Sequence, residues 1–133
     1  ATDTLNTGAI AGKDGSTGNQ GYYFRVNSST GKLVGLVSTT GTGTTTVSQG
    51  TTPSLNTWHH GAFVYNGANL LLYYDGVLDG STAYTGTIYA SAADFDIGNR
   101  NNNASWFKGN IDDVRVYNYA RTPAQIQTDM NTP

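Results

Sequence analysis

Phe107-Lys108-Gly109-Asn110-Ile111-Asp112-Asp113-Val114-Arg115-Val116-Tyr117 closes a series of motifs that decides the fold. The series opens at Trp58-His59-His60 and passes through Leu71-Leu72-Tyr73-Tyr74-Asp75-Gly76 and Ile97-Gly98-Asn99. Read together, these stretches predict consecutive antiparallel strands. Residues 60–65 form the first, and Asn66-Gly67 then supplies the positive-φ residues a tight hairpin needs. Residues 70–74 return, and Asp75-Gly76 is a second turn dipeptide. Residues 77–80 lead on to 84–89. Residues 94–98 alternate polar and apolar, which predicts a half-buried strand with Phe95 and Ile97 inward. Residues 99–105 read as a polar loop, and 106–117 as the last long strand.

Upstream, residues 22–26 and 32–37 flank the turn-rich 27–31 and predict another hairpin. Residues 39–52 are rich in Thr and Gly; a β-branched strand is expected around 44–47. One helix is predicted near the C-terminus. Thr122 is a good N-cap, Pro123 suits the first helical position, and Ile126 and Met130 would share one face.

The 133 residues suit one domain with one core, spanning 1–133. Charged residues make up only 12% and aromatics 11%, the balance of an ordered β protein with a neutral surface of hydroxyls and amides. A net charge of −2 without a Lys/Arg cluster argues against nucleic-acid binding. The longest apolar run, residues 69–74, is too short for membrane insertion as a helix. The absence of cysteine excludes disulfides, zinc-thiolate sites and Cys nucleophiles. The composition suggests an extracellular or cell-surface protein, microbial or viral. The chain begins Ala1-Thr2-Asp3 with no signal-peptide pattern, as a processed or excised chain would. Two N-glycosylation sequons, at Asn27 and Asn103, read as chance in an Asn/Ser-rich chain.

The order of motifs resembles the laminin-G-like domains of the concanavalin A-like lectin/glucanase superfamily. That pattern is a Trp-His pair, an aromatic-x-Asp-Gly hairpin, an Ile-Gly strand end and a closing Gly-x-Ile-Asp-Asp-Val-Arg-Val-Tyr strand before a helical turn. Here it falls on Trp58-His59, Tyr73 to Gly76, Ile97-Gly98 and Gly109 to Asn118. The resemblance implies an all-β, two-sheet antiparallel jelly-roll sandwich with a short C-terminal helix. One departure stands out. The usual first strands, a Phe-Asp-Gly type and one with a buried Trp, are not found before Ile10. The chain is a fragment, has a divergent first strand, or receives a strand from another chain. An unpaired edge beside residues 111–117 would be a template for such self-assembly.

Catalysis is not expected. Retaining glycan hydrolysis needs two carboxyls roughly 5–5.5 Å apart. All nine acids are Asp, and the Asp94/Asp96 pair reads as solvent-face chemistry. His59 and His60 point to opposite faces of a strand and cannot act together; structural roles are expected, one beside Trp58 and one in solvent. Calcium is the one cofactor the oxygen-rich loops suit, with Asp96, Asn101 and Asp112 as candidate ligands. Asp113 and Arg115 share a face and predict an ion pair. Sugar recognition combines an aromatic platform with amides. Candidate residues are Asn99, Asn101, Asn102, Trp106 and Tyr89, with Tyr22 and Tyr84 as further aromatics that core packing could equally claim. The leading expectation is a non-catalytic recognition or adhesion module whose partner is a glycan or cell-surface protein. The alternative is a structural subunit or decorating domain of a surface layer, filament or virion.

Overall fold

In the computed structural model, residues 8–15, 17–48, 50–100 and 105–132 are described. In chain order the strands are β1 (Gly8–Asp14), β2 (Gln20–Val26), β3 (Leu33–Val37), β4 (Thr45–Ser48), β5 (Gly61–Tyr65), β6 (Asn69–Tyr74), β7 (Val77–Ala83) and β8 (Asp96–Ile97); one helix, α1 (Pro123–Asn131), follows. They form two antiparallel sheets, one ordered β4-β3-β2-β1-β8 and the other β5-β6-β7. This two-sheet arrangement is the expected sandwich.

Side-chain hydrogen bonds set the turns. Asn27 Oδ1 accepts the Ser29 and Thr30 N–H groups at 2.8 and 3.1 Å, closing the β2–β3 hairpin. Asn66 Oδ1 likewise accepts from Ala68 and Asn69 at 3.0 and 2.8 Å. Gly67, at φ 89°, supplies the left-handed residue that this turn requires.

Alternation along β2 and β3 sends Phe24, Val26, Leu33 and Val37 inward, against Leu70 and Leu72 of the facing sheet. Those two leucines are fully buried, and each such burial contributes about 1.5–3 kcal/mol. Gly35 admits the Phe63 ring between the sheets: a Cβ there would meet the ring at 2.4 Å. Phe63 in turn stacks with Phe24 at 6.3 Å between centroids.

α1 starts as expected. Thr122 and Gln125 form a reciprocal capping box, with Pro123 at the start. Ile126 docks against Val64 and Tyr73 on the outer side of the smaller sheet, while Met130 on the same helix stays exposed. Arg115 pairs with Asp113 at 2.9 Å, as expected, and also reaches Asp129 on α1 at 3.3 Å. Arg121 holds Asp129 at 2.5 Å and lies 4.2 Å from the centre of the Tyr117 ring.

Three expectations are corrected. Residues 84–89 form no strand; β7 ends at Ala83. The strand expected at 94–98 shrinks to Asp96–Ile97, and Phe95 and Ile97 are both exposed rather than inward. The third concerns residues 106–117, where the long closing strand was expected. They form no strand, and residues 109–119 make no backbone–backbone hydrogen bond with any described residue. The β-branched composition is present, but a strand exists only where a neighbour completes its ladder.

The same condition appears on β5. Asp75 N–H donates to His60 O and Asn66 N–H to Asn69 O, so even-numbered positions bond to β6. Antiparallel alternation then turns the backbone groups of Gly61, Phe63 and Tyr65 to the open side. Among the described residues no strand pairs with that side. It opens into a hollow of about 1450 Å³, whose lining includes Phe24, Phe63, Phe107, Ile111 and Ile126.

Candidate functional site

The outward face of the larger sheet carries the residues that β2 and β3 do not turn into the core. Tyr23, Val34 and Leu36 cluster there with Ala9. Arg25 follows two residues after Tyr23 on the same face, with its guanidinium 5.8 Å from the Tyr23 ring centre. Arg100 sits 5.1 Å from that ring and donates from Nε to Asp14 at 2.6 Å. Burial raises the Asp14 pKa, against the pull of the Arg100 charge.

Trp106 is held at one end of this face. Ala9 N–H donates to Ser105 O at 2.8 Å and Phe107 N–H to Gly98 O at 2.9 Å, so the residues on both sides of Trp106 are pinned to the sheet edge. The indole itself is 55% exposed. It borders a small pocket of about 270 Å³ with Tyr23, Arg25, Val26, Ser28 and Lys108.

This face also concentrates unmet polar capacity. Five buried side-chain polar atoms have no hydrogen-bond partner among the described residues: Asp14 Oδ1, Tyr23 OH, Arg25 Nε, Asn99 Oδ1 and His60 Nδ1. Asp14 Oδ1, Tyr23 OH and Arg25 Nε belong to the chain of contacts just described. A buried donor or acceptor left unmatched costs roughly 1–3 kcal/mol, and a bound polar ligand or water relieves that cost.

Of the candidate sugar-contacting residues, Trp106 takes the rim position expected of it, and Asn99 lies beside Arg100. Asn101 and Asn102 lie outside the described residues. Tyr89 is elsewhere: its N–H bonds Ser38 O, and its carbonyl lies close to Gly21. Gly21 and Val26 are five residues apart on β2, about 17 Å, so Tyr89 and Trp106 mark opposite ends of the sheet. Tyr22 and Tyr84 serve packing, Tyr22 against the core and Tyr84 edge-on to Tyr65 at 5.4 Å. Of the proposed calcium ligands, Asp96 is on β8, Asp112 lines the hollow beside β5, and Asn101 lies outside the described residues. No group of three His, Asp or Glu side chains gathers among the described residues.

Sequence reasoning missed Arg25 and Tyr23 as site residues. Their alternation with Tyr22, Phe24 and Val26 was the available signal, since it puts them on the face away from the core.

The histidines also differ from expectation. His59 does not lean on Trp58, which is exposed. Its ring packs on Tyr74 at 5.0 Å, Nε2 lies 2.9 Å from Ser54 Oγ, and Nδ1 lies 2.9 Å from Asp75 Oδ2. The order Ser54–His59–Asp75 has the connectivity of a hydrolytic relay. However, the Tyr74 hydroxyl also occupies Nδ1 at 2.8 Å, and Asp75 Oδ1 accepts the His60 N–H at 2.8 Å. The network thereby ties the loop before β5 to the β6–β7 turn. His60 is half-buried, and burial lowers its pKa despite the nearby Asp129, Asp75 and Asp113.

A profile described as the concanavalin A-like lectin/glucanases superfamily matches residues 1–127. The chain belongs to this superfamily. No curated protein sequence matches it. Among solved structures, this concanavalin A-like domain is similar to an S-layer domain-containing protein (residues 221–444) from Clostridium thermocellum, with 22% identity and a TM-score of 0.52. The match covers 98% of this chain and 65% of that structure. At that identity the likeness speaks for the fold.

Proposed function

We propose that this domain is a non-catalytic recognition module of an extracellular or cell-surface protein, and that it binds carbohydrate on the outer face of the larger sheet. The observation that carries this reading is Trp106, a large aromatic held exposed at the rim of a small pocket. A flat indole complements the apolar face of a pyranose, while Ser28 and Ser105 are suited to its hydroxyls. The Ser54–His59–Asp75 network acts as a fastening for the loop before β5. The neighbour's name, which refers to a surface layer, agrees with a surface location.

The test is a glycan array probed in calcium and again in chelator, with Trp106→Ala alongside. Binding that survives chelation and fails in Trp106→Ala is expected, because neither Asp96 nor Asp112 lines the Trp106 pocket. No binding in either buffer would refute the reading.

A second reading is a structural subunit assembled by sharing strands. It is favoured by the unpaired side of β5 and the unladdered run 109–119 around one hollow. Equilibrium sedimentation tests it: an oligomer at micromolar concentration supports strand sharing between copies, and a one-chain mass refutes it.

A further inference from the structure

The pocket beside Trp106 has a charge character unlike the rest of the chain. The whole sequence carries a net charge of −2. Yet the described residues that line the pocket, Gly8, Tyr23, Arg25, Val26, Ser28, Ser105, Trp106 and Lys108, include two basic side chains and no acid. Most basic side chains are engaged: Arg100 by Asp14, Arg121 and Arg115 by Asp129, Lys13 by the Ala93 carbonyl and Lys32 by the Gly50 carbonyl, and Lys108 is not free either. Arg25 differs. Among the described residues it has no carboxylate partner, and its buried Nε makes no hydrogen bond. The Tyr23 hydroxyl beside it belongs to a side chain only 4% exposed and is also without a partner.

Two buried donors without acceptors among the described residues, one of them on a guanidinium, suit an anionic acceptor. A guanidinium fork matches the planar geometry of a carboxylate better than a lone ammonium does. Trp106 offers the stacking face next to it. Resting on the carbohydrate reading above, we propose that this pocket selects a pyranose bearing a carboxylate, a uronic acid. The Arg25 guanidinium and Tyr23 hydroxyl bind the carboxylate, and Trp106 stacks on the ring.

The experiment is isothermal titration of the full chain with four trisaccharides: galacturonate, glucuronate and the matching galactose and glucose forms. Each pair differs only at the carboxylate. At least one uronate is expected to bind about tenfold more tightly than its neutral counterpart, the scale of a charge-assisted hydrogen bond, and the preference should weaken with added salt. Arg25→Gln should erase the preference. Arg25→Lys should restore part of it. Lys108→Gln provides a control, expected to leave most of the preference in place; a loss as large as that of Arg25→Gln would overturn the assignment to Arg25. Equal affinity for a uronate and its hexose would overturn this inference while leaving carbohydrate binding intact. A 6-sulfated galactose trisaccharide bound as tightly as the uronate would overturn the carboxylate assignment. Failure of all the saccharides to bind would overturn both this inference and the reading on which it rests.

Discussion

Two regions of this domain carry unmet hydrogen-bonding capacity, and they differ in kind. On the outer face of the larger sheet the atoms without a partner among the described residues are on side chains: Tyr23 OH and Arg25 Nε. Along β5 and residues 109–119 the groups without a partner among the described residues are on the backbone. Side-chain groups of varied chemistry, gathered beside an exposed indole, suit a small polar ligand. A regular row of N–H and C=O groups suits another strand. The contrast separates the proposed recognition surface from a sheet edge that has no partner strand among the described residues. Each region makes its own demands on stability and exchange.

The largest expected effect contrasts a completed region with the incomplete one. Leu72 is fully buried in the middle of the smaller sheet, whereas Val116 is 62% exposed in the unladdered run. Leu72→Ala should cost about 2–5 kcal/mol in chemical denaturation. Val116→Ala should stay within about 0.5 kcal/mol. Equal losses would mean that residues 109–119 are packed in solution.

Hydrogen exchange sharpens the same contrast. The Asp75 and Asn66 amides are bonded across the β5–β6 hairpin. The amides of Phe63 and Tyr65 face the open side. They should exchange about a hundredfold faster than their bonded neighbours, in a pattern that alternates along β5. Uniform protection would show that β5 has a second partner.

On the recognition face, Trp106→Ala should weaken sugar binding about tenfold, the scale of one lost aromatic contact. It should move the unfolding free energy by less than about 0.5 kcal/mol, as expected of an exposed side chain. A large loss of stability would make Trp106 a packing residue.

The smallest effect is a pH dependence from the side of the smaller sheet. Burial holds the His60 pKa below its ordinary value of 6.5. The unfolded chain therefore takes up the proton first as pH falls. Stability from this group is complete above the unfolded pKa and declines as pH drops below about 6.5 towards the folded value. His60→Gln should flatten the melting temperature between pH 7 and pH 5 relative to the native chain. An unchanged slope would contradict this role.

Much of the fold was legible because it rests on local chemistry. Asn66-Gly67 and the Thr122-Pro123 cap specify their own geometry, and alternation in β2 and β3 assigns an inner and an outer face. The closing run was not legible in the same way. Ile111, Val114 and Val116 have strand propensity, but propensity cannot supply the neighbour that makes a ladder. The site was half legible. Trp106 after a polar loop pointed to a rim, whereas its partners Tyr23 and Arg25 lie some eighty residues earlier and meet it only through the pairing of β1 with β2 and β8. Tyr89 had suitable chemistry, but the chain's path set it at the other end of the sheet.

The most direct test of this division is amide chemical-shift mapping of the ¹⁵N-labelled chain during titration with the tightest-binding saccharide from the array. Shifts concentrated at Tyr23, Arg25, Ser28 and Trp106, with Gly61 to Tyr65 unmoved, are predicted. Shifts centred on Gly61 to Tyr65 and residues 109–119, with the Trp106 face silent, would contradict the assignment of recognition to the larger sheet.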